Sequence, residues 1–324
     1  MTSLSTIIAP LDKDIRIFQE RFSATLKSDS YLLDKITSYV LKQRGKQIRP
    51  ALVLLSSKII GKINEKSYEG AILVELMHTA TLVHDDVVDD SDMRRGMASI
   101  NAVWKNKIAV LLGDYLLSRG LLLSLEGGSY SMLQVLSRAV KQMSEGELLQ
   151  IEKSRRLNLD QATYFKIIRA KTASLISSAC EIGALAVTSD PKQLSLIREI
   201  GDGLGMAFQI RDDLFDYISD ESSTGKPMGL DIKEKKLTLP LIYALEKGTD
   251  QEKKYIKNLL SNQKKTKEFE IIKNYIKEKG GIEYALNVSA QFAEEAISKL
   301  KQFEKSEARD IFEEIIEFSI KRMN

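Results

Sequence analysis

The chain has 324 residues, 43% hydrophobic and 29% charged, with a formal net charge of +3. That balance can bury a sizeable core, and so small a net charge makes no case for a nucleic-acid partner. Five prolines in this length favour helix, and Cys180, the only cysteine, excludes an internal disulfide and fits a reducing, cytoplasmic setting. The start, "MTSLSTIIAPLDKD", lacks a basic segment followed by an apolar one and does not read as a signal peptide. No run of about 18 uninterrupted apolar residues occurs, so no transmembrane helix is predicted.

Apolar residues three and four apart predict helices over "DKDIRIFQERFSATL", "YLLDKITSYVLKQ" and "ALVLLSSKII". The next segment, "YEGAILVELMHTATLVHDDVVDD", is longer and more apolar, as expected of a helix inside a bundle. Further helices are predicted over 108–125, 132–154, 161–187, 192–218 and 239–246, and charged helices follow from Asp250. Turns at Gly127 and Ser189 separate helices, and no alternating strand run bounded by hairpin turns is found. The segment from Asp220 to Pro240 is the most loop-like interior stretch, and long loops of this kind are usually functional or disordered. No linker or short repeat interrupts the pattern, which predicts one all-α domain spanning residues 1–324.

Five aspartates fall between Asp85 and Asp92, and Arg94 and Arg95 follow at once. Asp85, Asp86 and Asp89 form D-D-x-x-D, and Asp212, Asp213 and Asp216 repeat that spacing in "FQIRDDLFDY". On a helix, residues four apart share a face, and each like-charged pair costs about 0.2–0.5 kcal/mol. One such cluster is a solvated helix end as readily as a ligand set. Two clusters, each continuing an apolar helix, point to hard-cation binding. Carboxylates suit Mg²⁺, which completes its shell with water and phosphate. No histidine–cysteine set competes, since His78 and His84 are the only histidines. A phosphate ligand also needs direct cations, and short basic contexts supply them: "RGKQIRP" with Lys46 and Arg49, "MRRG" with Arg94 and Arg95, "RAKTAS" with Lys171, and "TGKP" with Lys226.

These residues make the chain resemble the trans-type isoprenyl diphosphate synthases, or polyprenyl synthetases. The likeness covers nearly the whole length in order: "GKQIRP", "LVHDDVVDDSDMRRG", "AVLLGDYLL", "EGELLQI", "RAKTASLISSACEIGA", "FQIRDDLFDY" and "GKPMGLDIKEKKLTLPL". Two departures stand out. Arg44 replaces the first glycine of the family's Gly-Gly-Lys, and "GMAS" replaces Gly-x-Pro-Thr after the arginine pair.

The resemblance implies antiparallel helices around a deep central cavity, a homodimer, and head-to-tail condensation of an allylic diphosphate with isopentenyl diphosphate. It implies about three Mg²⁺ ions per active site. Asp85, Asp89 and Asp212 are then the main ligands, with Asp86, Asp213 and Asp216 beside them. Arg94, Lys171, Thr172, Gln209, Lys226 and Lys235 would hold the allylic diphosphate. Lys46, Arg49, His78 and Arg95 would hold isopentenyl diphosphate.

The growing product would run back along the helix before Asp85. Thr81 and Met77 lie four and eight residues back, and Met77 is roughly 12 Å away at 1.5 Å per residue. Short-chain members often resemble one another in a bulky aromatic floor at the position of Ala80. The open position predicts a long product of about C35–C50, of the kind used for quinone side chains, with the floor set deeper by Leu73 or the helix over 108–125. The bland alternative is that Ala80 only permits close helix packing. Rival readings are a short-chain synthase, a terpene cyclase or head-to-head synthase, a non-catalytic partner subunit, and a helical protein that merely binds cations. Membrane contact is expected to be peripheral at most.

Overall fold

The structure is a computed structural model and describes residues 3–43, 45–156, 159–218, 236–261 and 266–321. Side chains of residues 155, 156, 216, 261, 266 and 267 are outside that description. The described residues fold as α-helix almost throughout, as the three-to-four apolar spacing predicts. They form two compact units, one from residues 1–138, 178–198 and 303–314, the other from 139–177, 199–302 and 315–324.

The first unit contains helices α1 (Leu4–Ile8), α2 (Asp12–Thr25), α3 (Tyr31–Lys42), α4 (Ile48–Ile60), α5 (Glu65–Val88) and α6 (Ile100–Glu126). Helix α4 is buried all round from Pro50 to Ser57. A helix apolar on every face belongs in an interior. Gly183 sits against it so closely that an added Cβ would lie 2.1 Å from the Val53 carbonyl oxygen, and Ser57 Oγ donates to the Gly183 carbonyl at 2.7 Å. Helix α5 starts at a capping box made by Asn64 and Ser67. It packs most extensively on α6, where Gly120 lies under Leu73 and Leu76.

Two local features depart from the sequence expectation. Helix α6 starts at Ile100, eight residues before the predicted 108, and Lys105 breaks it with φ 73. Met93–Arg94 (β1) and Met97–Ala98 (β2) form a small antiparallel hairpin, pairing Met93 with Ala98 and Arg94 with Met97. Strands of two residues are too short to show alternation. The turn residues Arg95 and Gly96 both have positive φ, 54 and 76, the pattern of a tight hairpin turn of the primed type.

Helix α6 also qualifies the expectation of no membrane-spanning segment. By length and composition it is apolar enough to cross a bilayer, although Asp114 and Arg119 interrupt it. Its face carrying Ala109, Leu112, Leu116 and Gly120 is buried.

Helix α7 (Tyr130–Arg156) follows. In the second unit, α8 (Gln161–Ile168) runs through a π-helical turn, Arg169–Ala173, into the start of α9 (Ser174–Leu185), whose residues from Ser178 onward belong to the first unit. The sequence predicts one helix here; the extra residue in the turn bulges the backbone at "RAKTA". Helix α10 (Pro191–Ile218) carries the second aspartate motif. The core of this unit gathers Tyr164, Met206, Ile210, Leu214 and Tyr217 with Leu241, Ile272 and Ile276.

Candidate active site

In the first unit, α5 delivers the first aspartate motif at its C-terminal end. Asp89 is the cap residue, and its amide donates to the Asp85 carbonyl at 2.8 Å. Asp85 is half-buried and Asp89 exposed, so this face of the motif meets solvent. Asp86 points the other way. It is 2% exposed, and Arg94 donates to its Oδ1 from Nε at 2.8 Å and from Nη2. The hairpin turns the chain back so that Arg94 reaches Asp86. Asn101 Nδ2 ties the start of α6 to the carbonyls of Asp86 and Ser91, each at 3.2 Å. Asp86, expected beside the metal ligands, is here the partner of Arg94, because a buried carboxylate needs a paired charge.

His84 packs across to α6. Its Nε2 donates to the Val110 carbonyl at 3.2 Å and lies 3.7 Å from Asp114 Oδ1. Gly113 makes this possible, since a Cβ there would overlap the ring at 2.0 Å.

The same unit assembles a basic pocket from α4, α5 and the hairpin. Arg49 Nη1 donates to His78 Nε2 at 2.9 Å. Arg49 is half-buried, and the loss of water around its guanidinium lowers its pKa to about 10. Its Nε is buried with no hydrogen-bond partner among the described residues. A guanidinium with an unused buried donor fits an anion that is yet to arrive. Burial, then the charges of Arg49, Arg95 and Arg94, hold His78 well below its usual pKa. Arg95 donates from Nη1 to the Gln43 carbonyl at 2.7 Å and lies under Gly45, where an added Cβ would come within 2.5 Å of its Cζ. Gln43 also holds the hairpin, donating from Nε2 to the Ala98 carbonyl at 2.7 Å. Lys46 is exposed at the entrance to α4.

In the second unit the π turn presents Lys171 and Thr172. Lys171 Nζ pairs with Glu147 Oε2 on α7. Gly146 allows that approach, because a Cβ there would meet the Ala170 Cβ at 2.8 Å. Thr172 Oγ1 donates to Gln209 Oε1 at 2.7 Å, Gln209 Nε2 donates to Asp213 Oδ1 at 2.7 Å, and Tyr164 Oη donates to Asp213 Oδ2 at 2.6 Å. Both oxygens of the buried Asp213 thus accept protein hydrogen bonds, while Asp212 is exposed. Asp213, expected in the ligand set, here orients Gln209. The Asp216 side chain, Lys226 and Lys235 lie outside the described residues.

Among the described residues no three acidic, histidine or cysteine side chains converge on one point. In the first unit Asp85 and Asp89, and in the second Asp212, nevertheless offer oxygen donors only, a donor type that suits Mg²⁺ completed by water and phosphate. Sequence reasoning missed Glu147, Tyr164 and Asn101 as supports of these side chains. "EGELLQI" is a motif of the resemblance, but its partner Lys171 is not legible from spacing.

Comparison with known proteins decides the family. The profile described as Polyprenyl synthetase matches residues 30–279. The chain belongs to the polyprenyl synthetase family. It is therefore a prenyltransferase of isoprenoid biosynthesis, with the all-α fold of the family. It is 34% identical over 276 residues to the octaprenyl diphosphate synthase of Escherichia coli K12, covering 85% of each chain. It is 34% identical over 317 residues to component 2 of the heptaprenyl diphosphate synthase of Bacillus subtilis 168, covering 96% of this chain and 89% of that one. The crystal structure of a Caulobacter crescentus CB15 polyprenyl synthase complexed with calcium and isoprenyl diphosphate superposes with a TM-score of 0.90. It is 32% identical, and the alignment covers 99% of this chain and 98% of that one. Of the two departures, "GMAS" still forms the hairpin, while Arg44 lies outside the described residues; its neighbour Gly45 is the glycine that Arg95 needs.

Proposed function

We propose that this polyprenyl synthetase condenses isopentenyl diphosphate head-to-tail with an allylic diphosphate, in a Mg²⁺-dependent reaction, to give an all-trans product of about C35–C50. The observation that carries the reading is the half-buried Arg49, whose Nε is buried and unpartnered, beside a neutral His78 and next to an aspartate motif that faces solvent. The octaprenyl and heptaprenyl relatives support the long product, and the calcium in the Caulobacter structure supports a divalent ion.

Asp85, Asp89 and Asp212 would hold Mg²⁺, which when bound offsets charge on the leaving diphosphate. Lys171, Thr172 and Gln209 bind and orient the allylic diphosphate. Arg94 adds a cation held in place by Asp86. Lys46, Arg49, His78 and Arg95 grip the second diphosphate through donors matched to phosphate oxygens. Cleavage of the allylic carbon–oxygen bond sends its electron pair to diphosphate. The isopentenyl double bond attacks the allylic carbon, and the released diphosphate takes the proton lost from the adjacent carbon. No protein base is assigned.

The exposed apolar residues Val110, Leu111, Leu121, Leu122 and Leu125 on α6 support pairing with a second copy. A second reading follows from the Bacillus relative, named as one component of its synthase: the chain would need a different partner. The purified chain, incubated with labelled isopentenyl diphosphate, farnesyl diphosphate and Mg²⁺, decides between them. Long products from the chain alone support the homodimer. Absence of any elongated product rejects the function as stated. Quinone side chains as end use, cytoplasmic location and weak peripheral membrane contact belong to the same proposal.

A further inference from the structure

The basic pocket contains a group that the proposed function leaves unused. Glu75 lies on α5, three residues before His78 and so one turn away on a neighbouring stripe of the helix. It is buried, at 8% exposure, and it lines a cleft with Gln43, Gln47, Asp86, Arg94 and Arg95. Burial of a carboxylate without a purpose is unfavourable, because the charged form loses its hydration.

The charges around it supply the purpose. Arg49 and Arg95 are both desolvated, and each raises the cost of charging the other in a low-dielectric pocket. His78 cannot balance them. Its Nε2 accepts from Arg49, and its ring is held neutral by burial and by the three arginines. Asp86 accepts from Arg94. Glu75 shares its cleft with Arg95 and stands one turn of α5 from His78, the acceptor of Arg49, so its carboxylate is placed to oppose the charge of both guanidiniums. Those two arginines in turn oppose the upward push that burial gives the Glu75 carboxyl.

We propose that Glu75 is a positioning residue of this pocket. Its buried carboxylate is the counter-charge that keeps Arg49 and Arg95 together until a diphosphate arrives, and its effect is confined to isopentenyl diphosphate. The inference rests on the assignment of this pocket to that substrate. Without the carboxylate, the mutual repulsion of the two guanidiniums moves one of them, and the matched grip on phosphate oxygens is lost.

Glu75→Gln keeps the shape and removes the charge, and Glu75→Asp keeps the charge on a shorter stem. The variants are compared with the wild-type chain by steady-state kinetics with each substrate varied in turn, and by thermal melting. Glu75→Gln is expected to raise KM for isopentenyl diphosphate about tenfold or more, leaving kcat and the allylic KM within about twofold. Glu75→Asp is expected to recover part of that loss. Should Glu75→Gln fail to fold, Glu75→Asp carries the test through a smaller rise in the same KM. An unchanged or lowered KM for isopentenyl diphosphate, or equal effects on both substrates, overturns the proposal.

Calorimetric titration with inorganic diphosphate in the presence of a chelator separates this inference from the reading beneath it. In that experiment the aspartate motifs carry no metal, diphosphate meets only protein side chains, and the difference between wild type and Glu75→Gln reports the basic pocket. Tight binding by wild type and weakened binding by Glu75→Gln support the positioning role, even if the wild-type chain makes no elongated product. Equal binding by the two overturns it, even if condensation is observed.

Discussion

Arg49 Nη1 and His78 Nε2 are 2.9 Å apart, and the direction of that hydrogen bond is fixed by chemistry. A guanidinium has no acceptor, so His78 Nε2 carries a lone pair and the ring is neutral with its proton on Nδ1. The same conclusion follows from the burial and positive surroundings that hold the His78 pKa far down.

This neutrality has a pH signature. The His78 pKa is depressed in the folded chain, so below the unfolded value of about 6.5 the unfolded chain binds a proton that the folded chain refuses. Stability is complete above that value and declines as pH falls toward the folded pKa, by up to about 1.4 kcal/mol per pH unit. Melting temperatures measured between pH 7.5 and 5.5 are expected to fall more steeply for wild type than for His78→Gln. Parallel slopes would place the proton sensitivity elsewhere.

Two glycines should separate function from stability. At Gly45 an added Cβ meets the mobile end of Arg95, whereas at Gly183 it meets the backbone oxygen of Val53. Gly45→Ala is expected to leave melting nearly unchanged and to raise KM for isopentenyl diphosphate about threefold to thirtyfold. Gly183→Ala is expected to cost about 1–3 kcal/mol of stability by overpacking, read by denaturant unfolding.

The Asp86–Arg94 pair is asymmetric. Asp86 is 3% exposed at its side chain and Arg94 31%. Removing the arginine strands a buried carboxylate, whereas removing the carboxylate leaves a cation that can reach water. Arg94→Met is therefore expected to destabilise by about 2–4 kcal/mol, more than Asp86→Asn. Chemical denaturation of both variants tests the order, and equal losses would contradict it.

Ala80 is completely buried, Met77 is 6% exposed, and Leu73 deeper in the helix packs on Gly120 of α6. Ala80→Phe is expected to shorten the product, with a loss of about 1–3 kcal/mol of stability from overpacking. Chromatography of the dephosphorylated products reads the length. A stable variant with unchanged products would assign Ala80 to close helix packing alone.

The helical class, the order of the long helices and the paired aspartate motifs were legible in the amino-acid order, because each rests on spacing within one segment. The apolar period of 3.6 marks α10, and an apolar run too long for a strand marks α5, whatever surrounds them. The residue types at Asp85, Asp89, Arg49 and Arg95 likewise announce oxygen ligands and phosphate grips before any fold is known.

Relationships across segments were not legible. Arg94 returns to Asp86 only because Arg95 and Gly96 close a tight hairpin, and a two-residue strand carries no periodic signal. The π turn at Lys171 is hidden inside an unbroken helical pattern, and Lys171 meets Glu147 because Gly146 admits it. Glu75 interrupts an apolar run and reads in one dimension as a blemish. Folding places it in a desolvated pocket with two guanidiniums. Charge is a property of a residue and is written in the sequence, but its environment is made by distant segments and belongs to the tertiary structure.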